Sequence, residues 1–496
     1  FQDTNSIQYA WLRVLAGDAI PVVAVGDDDQ SIYGWRGAKI ENIQRFTQDF
    51  MGTQTVRLEQ NYRSTKMILD AANGVISHNT GRLGKDLWTD GEDGDPIKLY
   101  AGFNEQDEAR FIVEQIQSWT DEGNPRKSSA ILYRSNAQSR VIEEALIRVG
   151  LPYRIYGGQR FYERLEIRNA LAYMRLIIGR GDDPALERII NTPTRGIGSK
   201  TVDDLRAIAR ENNVSMWQAI GLVQQNGLLG SRARSSLAGF AALINELDSE
   251  TVELPLEEMV EHVIHRTGLI EFHKAEKGER GQARVENLEE LVSAAKTFRA
   301  EDDSLSPLQQ FLDSAALDAG DNQADPYEDS VQMMTLHSAK GLEFPLVILA
   351  GLEENLFPHR MSVEEPGRLE EERRLAYVGI TRAQQRLLIT YAESRRLHGS
   401  ETYNTPSRFV REIPADLIEE VRLHGGLTRP LADRLQQPVA ASNDSGLSLG
   451  QRVTHPMFGE GMVLNIEGRG ANARIEVNFA EGSKWLVLQY ANLQAL

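Results

Sequence analysis

One pattern limits what this chain can fold into more than any other: strand-like and helix-like segments alternate, stop, and resume. Ile7, Ala10, Trp11, Val14 and Leu15 recur at helical spacing, and Gly17 stands where a helix would end. Residues 21–25 (PVVAV) then read as a buried strand, and 26–30 as the loop leaving its C-terminal end. A helix over 39–49, a strand over 55–59 and a helix over 64–78 come next. Beyond them lie strands at 97–101, 129–133 and 153–156, separated by helices at 105–119 and 138–149. Strands alternating with helices of this length predict a parallel sheet covered on both faces. From about Leu165 to Ala324 helical periodicity replaces the strand signals, which predicts an all-helical insertion. Strand character returns at 331–336, 346–349 and 386–391, with a helix at 369–380.

The 496 residues suit about three domains at roughly 150 residues each. Residues 425–450, rich in Gly, Pro, Ser, Asn and Gln, read as a flexible linker. Short alternating segments punctuated by glycine over 451–496 predict a small β-barrel. The chain has no cysteine, which excludes disulfides, thiol catalysis and Cys-built metal sites and fits a cytoplasmic setting. No apolar run approaches the roughly 18 residues of a membrane span, so no membrane partner is expected. A net charge of −18 excludes an all-over nucleic-acid coat; any such binding needs a local basic surface.

Four runs carry chemistry. GDDDQSIYGWRGA (26–38) leaves the first predicted strand where α/β proteins place ligands. Gln30 can donate to a phosphate oxygen and accept from an attacking water. Tyr33 and Trp35 beside Arg36 offer two base-sized rings next to a cation, which suits stacked single-stranded bases; the competing reading is a polar loop with core aromatics. In LEQNYRST (58–65), Tyr62 can stack on a nucleobase and Arg63 can reach phosphate, unless Arg63 is a surface ion pair. TLHSAKGLEFPLVILAG (335–351) sets Thr335, His337 and Ser338 for phosphate contacts and Glu343 for a ribose hydroxyl. GRLEEERRLAYVGITRAQQRL (367–387) is a helix leading to Arg382, placed to meet a phosphate across an interface; its charges at 370–374 read as a solvated face.

In this order and at these separations the four runs closely resemble motifs three to six of the UvrD/Rep/PcrA-type superfamily-one DNA helicases, and the resemblance covers the whole chain. It implies two RecA-like α/β domains, 1A and 2A, with ATP in the cleft between them and an inserted domain in each. Residues 1–59 are similar to the end of 1A, 60–156 and 333–424 to 2A, and 157–332 to its helical insertion 2B. After the 425–450 linker, 451–496 are similar to a Tudor/SH3-like barrel that contacts RNA polymerase. By the same resemblance Gln30 meets the γ-phosphate and its water, Tyr62 stacks on adenine, Arg63 and Arg382 are arginine fingers, and Glu343 holds the ribose. Tyr33, Trp35, Arg36, Thr335 and His337 match the single-strand track. RGIGSKT (195–201) resembles the 2B turn whose Gly196, Gly198 and Thr201 grip duplex DNA, and 134–200 hold twelve basic against seven acidic residues. A hairpin after 386–391, carrying Arg395, Arg396 and His398 at a solvent-facing tip, matches the family's strand-separating wedge, with His398 where an aromatic is usual. The resemblance also implies mismatch- and excision-repair proteins as partners.

The chain has no G-x-x-x-x-G-K-[ST] run, and its opening FQDTN resembles the residues directly after the Asp-Glu pair that binds Mg²⁺ in the family. The expectation is a C-terminal portion of a 3′-to-5′ ATP-dependent DNA helicase of repair and replication, inactive alone, with Mg²⁺ ligands upstream of Phe1. The alternative is a non-catalytic module of helicase ancestry that binds DNA and RNA polymerase.

Overall fold

The computed structural model describes residues 1–421 except 18–19, 277–278, 303, 321–327, 366 and 398–399. Beyond these it describes 452–455, 458–467, 474–479, 482–487, 491 and 493–495. The chain divides into two compact units, Phe1–Pro430 and Leu431–Leu496.

The first unit is organised by a parallel sheet of β1 (Ile97–Gly102), β2 (Ser129–Tyr133), β3 (Tyr153–Ile155), β4 (Val331–Thr335), β5 (Phe344–Leu349), β6 (Ala383–Ala392) and β9 (Ile418–Val421). Between the last two lies a separate antiparallel hairpin, β7 (Ser394–Leu397) and β8 (Ser400–Tyr403). The sheet order is β3-β4-β2-β5-β6-β1-β9, and every neighbouring pair is parallel. Alternation along β2 shows why both faces need cover: Ala130 and Leu132 enter one apolar cluster, Ile131 and Tyr133 the other. The first cluster is closed by α3 (Lys66–Ile76) and α16 (Arg368–Ile380), the second by α4 (Glu105–Asp121) and α5 (Ser139–Arg148). Before the sheet come α1 (Ser6–Ala16), capped by reciprocal bonds between Asn5 and Gln8, and α2 (Glu41–Asp49).

After β3 the chain leaves the sheet and returns to the adjacent β4, so Tyr153 pairs with Val331, and between the two strands the regular elements are, among the described residues, all helical. The α-helices are α6 (Leu165–Ile178), α7 (Asp183–Ile189), α8 (Ser199–Asn212), α9 (Met216–Asn226), α10 (Ser231–Thr251), α11 (Leu256–Arg266), α12 (Leu269–Lys274), α13 (Glu279–Thr297) and α14 (Pro307–Gly320). They bury their own core, including Tyr173, Phe240, Leu288 and Phe311. Two short helices, α15 (Arg360–Glu364) and α17 (Arg408–Arg411), complete the unit.

Several expectations fail for identifiable reasons. Residues 21–25 and 55–59 are not strands: no described strand lies beside them, and Val23, Val25 and Leu58 are 89%, 78% and 82% exposed. An apolar run cannot become a strand without a ladder partner to satisfy its backbone. The short strand β9 escapes sequence reasoning because IEEV carries little apolar signal; pairing with β1 creates it. The charges at 370–374 are not a solvated face. Glu372 and Arg373 are buried, with Arg373 in a bidentate pair with Glu412 at 2.8 Å. Arg395 lies not at a solvent-facing tip but buried at the hairpin's base, bound by Glu108 and Glu353.

The second unit is a five-stranded antiparallel sheet in the order β13-β12-β11-β10-β14: β10 (Arg452–His455), β11 (Gly459–Glu467), β12 (Arg474–Phe479), β13 (Gly482–Val487) and β14 (Gln494–Ala495). Val453, Val477 and Phe479 form its described core. The pairings that would close it into a barrel are not among those described, and the expected linker at 425–450 lies outside the described residues.

Candidate functional site

The first and third motif runs, some 300 residues apart, meet side by side. A 3₁₀ turn over Gly34–Arg36 holds Trp35 and Arg36 against Tyr33, and Gly37, at φ 89°, reverses the chain where a side chain would strain it. The Tyr33 hydroxyl donates to the His337 carbonyl at 3.2 Å. The Tyr33, Trp35 and His337 rings lie 6.3–6.5 Å apart, centroid to centroid. The Arg36 guanidinium sits 4.5 Å from the Trp35 ring centre and 5.1 Å from that of Tyr33. Thr335 is half-buried, its hydroxyl 3.0 Å from that of Ser338 and accepting the Ser338 N–H. Burial, with Arg134, Arg36 and Lys340 adding to it against Glu372, pushes the His337 pKa down to about 3. In this structure the imidazole is therefore held neutral at physiological pH. These residues form one half-buried aromatic ledge edged by cations.

Gln30 ends the 3₁₀ turn Asp28–Gln30 and donates from its side-chain amide to Asp27 at 2.7 Å. Its carbonyl accepts from Lys340 at 2.8 Å, and the same ammonium binds Asp3 and lies 4.9 Å from the Tyr33 ring centre. Lys340 thus touches both the glutamine loop and the aromatic ledge.

The second and fourth runs meet where α16 gives way to β6. Asn61 caps the turn, accepting from the N–H groups of Arg63 and Ser64 at 2.8 and 2.9 Å. Ser64 and Thr65 then bond the carbonyls of Ala383 and Gln384, fixing this turn to the start of β6. Arg63 pairs with Glu343, which also accepts from Gln384. The Tyr62 ring stands 86% exposed, open to stacking. Arg382 is buried, and its guanidinium donates to the carbonyls of Val378 and Leu342 and to the Thr381 hydroxyl, each at 3.0 Å. Among the described residues no carboxylate lies within ion-pair distance of it. Burial first, then the nearby Arg63 charge, pushes its pKa down to about 10.

Gly196 and Gly198 lie in the turn between α7 and α8. Gly196 has φ 73°, Gly198 precedes the first residue of α8, and Thr201 falls in that helix's first turn. Asn191 fixes the turn by accepting from the N–H groups of Arg195 and Ile197. The basic surplus over 134–200 is only partly outward: Arg134 is bidentate to Glu372, and Arg140 pairs with Glu144 and Glu290. His398 lies outside the described residues.

Sequence reasoning missed the residues that tie the runs together: Lys340, Glu371 accepting the Gly34 N–H at 2.8 Å, and Arg82 bidentate to Asp29 at 2.8 Å. Lys340 and Glu371 sit inside motif runs and Arg82 outside them, but nothing in composition marks a partner more than fifty positions away. The carboxylates of Asp27, Asp28 and Asp29 crowd together. Each has a partner, Lys85, the Leu83 N–H and Arg82 respectively, so the cluster fastens this loop to the segment 82–85.

Residues 56–394 match the UvrD-like helicase C-terminal domain, and residues 1–51 the UvrD/REP helicase N-terminal domain. The chain is 57% identical over 499 residues to DNA helicase II of Escherichia coli, covering 100% of this chain and 69% of that protein. It is 54% identical over 501 residues to DNA helicase II of Haemophilus influenzae (100% and 68%). Identity is 40% over 510 residues to the ATP-dependent DNA helicase PcrA of Staphylococcus epidermidis (99% and 69%).

Proposed function

The chain belongs to the UvrD-like helicase family, and from that premise we propose that it is the part of an ATP-dependent, 3′-to-5′ DNA helicase that joins nucleotide to single-stranded DNA. The observation that carries this reading is the junction at Lys340, one ammonium shared by the Gln30 loop and the Tyr33 ring of the aromatic ledge.

The side chains present suit a nucleotide triphosphate. Arg382 is a buried cation with no anionic partner among the described residues, which a phosphate would supply, and Tyr62 offers an uncovered ring to a base. Bound ATP would supply the phosphoanhydride whose hydrolysis drives movement. Arg63 and Arg382 would neutralise charge on the transferring phosphoryl group, Gln30 would orient water through its side-chain amide, and Glu343 would hold the ribose. Arg63 must first give up its pairing with Glu343. The Asp27–Asp29 carboxylates each already hold a neighbour, so no Mg²⁺ ligand is proposed among them. Tyr33, Trp35, Arg36, Thr335 and His337 would form the single-strand track, and the turn of Gly196, Gly198 and Thr201 a duplex grip. His398 remains the proposed wedge.

In this reading 1–59 close the first RecA-like domain, the parallel sheet is the second, and the nine described helices of the insertion form 2B. The Leu431–Leu496 unit would bind RNA polymerase, and the cytoplasmic protein would serve repair and replication. The test uses a completed helicase, the chain joined to a segment bearing a phosphate-binding loop and the Mg²⁺ carboxylates. It should unwind a duplex carrying a 3′ single-stranded tail and leave a 5′-tailed duplex intact. Preference for the 5′ tail, or unwinding without ATP, would contradict it.

A further inference from the structure

Within the helical insertion, α6, α7 and α14 enclose an open cavity of ≈ 470 Å³, within the range of roughly 300–1,000 Å³ usual for small-molecule sites. One side is apolar: Leu171, Ala172, Ala185 and Ala315 line it. The other carries Arg168, Arg175 and Arg188, none with an ion-pair partner among the described residues. Arg168 and Arg175 are seven positions apart on α6 and so share a face, roughly 10 Å apart along the axis. Arg188 reaches in from α7, and its Nε–H is buried with no hydrogen-bond acceptor. Buried donors are nearly always paired, and an orphan on a cation facing a cavity marks a place for an anion. Its pKa is lowered by burial and then by the like charge of Arg168, so the cations stand close enough to repel each other. The two acidic residues of the lining do not relieve this: Asp182 caps α7 by accepting the Ala185 N–H at 2.9 Å, and Glu163 accepts the Arg160 N–H.

We propose that this cavity binds a ligand of the nucleoside-phosphate class, its phosphates held by Arg168, Arg175 and Arg188 and its nucleoside against the alanine-rich wall. Such a group can come from a free nucleotide or from the phosphorylated end of a DNA strand. The site is independent of the nucleotide cleft at Arg63 and Arg382.

Titration calorimetry on the 496-residue chain decides it, with dTTP, tripolyphosphate, and a short oligonucleotide with or without a 5′-phosphate as probes. Either dTTP or the 5′-phosphorylated strand should bind, and Arg175→Gln should weaken that binding at least about tenfold, the loss of one charge-assisted contact. Arg175 is exposed, so its variant should keep the parent's melting temperature; Arg188→Gln should act alike if it folds. The tighter of the two probes names the source. Affinity for tripolyphosphate equal to that for dTTP would overturn the nucleoside assignment. Binding of no probe, or binding indifferent to Arg175→Gln, would overturn the site. So would dTTP affinity that is lost in Arg63→Gln and kept in Arg175→Gln, because the nucleotide would then occupy the other cleft.

Discussion

Arg382 concentrates the electrostatics of the site. It lies buried among carbonyls, with no carboxylate partner among the described residues, and in the proposed function its charge would meet an anion that develops charge late. In the completed helicase, Arg382→Ala should lower kcat by about 10³ or more, with nucleotide affinity changed far less, because the cation acts mainly on the transition state. Steady-state phosphate release with a separate nucleotide-binding titration reads the two; weakened binding at unchanged kcat would contradict the role. His337 makes a prediction through pH. Its folded-state pKa of about 3 lies below the unfolded value of roughly 6.5, so the unfolded chain binds the extra proton. Stability contributed by the neutral ring is therefore present above about pH 6.5 and is lost as pH falls towards 3. His337→Gln should lose less stability than the parent between about pH 7 and 4 in urea melts; equal losses would mean the ring is already protonated in the fold. Residue types at the site were legible from the sequence, because Gln30, Arg63, Glu343 and Arg382 stand in runs whose order resembles a known family. Their states were not. Neither the burial of Arg382 nor the neutrality of His337 can be read without the neighbours that cause them.

At the scale of elements, the aromatic rings of the ledge come from a 3₁₀ turn and the loop after β4, not from an α-helix or strand. Trp35→Ala in this chain should weaken single-strand binding by about 1–3 kcal/mol, the worth of one base–aromatic stack. Fluorescence anisotropy at fixed salt tests it; unchanged affinity with the fold intact would make Trp35 a packing residue. The strands of the parallel sheet were legible where both faces are buried: the SAILY run of β2 is apolar throughout its last four residues and flanked by polar ones. Strand signals mislead at the apolar run 21–25 and the alternating segment 55–59, which lie 78–89% exposed at Val23, Val25 and Leu58. Periodicity reports a wish for burial, and only a neighbouring strand grants it. Charge patterns mislead in the opposite direction. The acidic-to-basic run of α16 and Arg395 of the hairpin read as solvated, yet Arg373 and Arg395 are matched inside by partners distant in sequence.

Across the whole molecule, the parallel sheet with its helical excursion between β3 and β4 was legible from where strand signals stop and restart. The closing contacts were not, since they join residues hundreds of positions apart. Those contacts carry the central claim, that DNA on the ledge is felt at the nucleotide cleft. Lys340 offers one route between them, holding the Gln30 backbone carbonyl and Asp3 while lying against Tyr33. Gly34, bonded to Glu371 of α16, offers a second route. The most direct measurement is phosphate release by the completed helicase with and without single-stranded DNA, for the parent and for Lys340→Met. The account predicts strong stimulation by DNA in the parent and a ratio falling towards unity in the variant, at DNA concentrations that saturate both. A variant stimulated as strongly as the parent, or a parent indifferent to DNA, would contradict it.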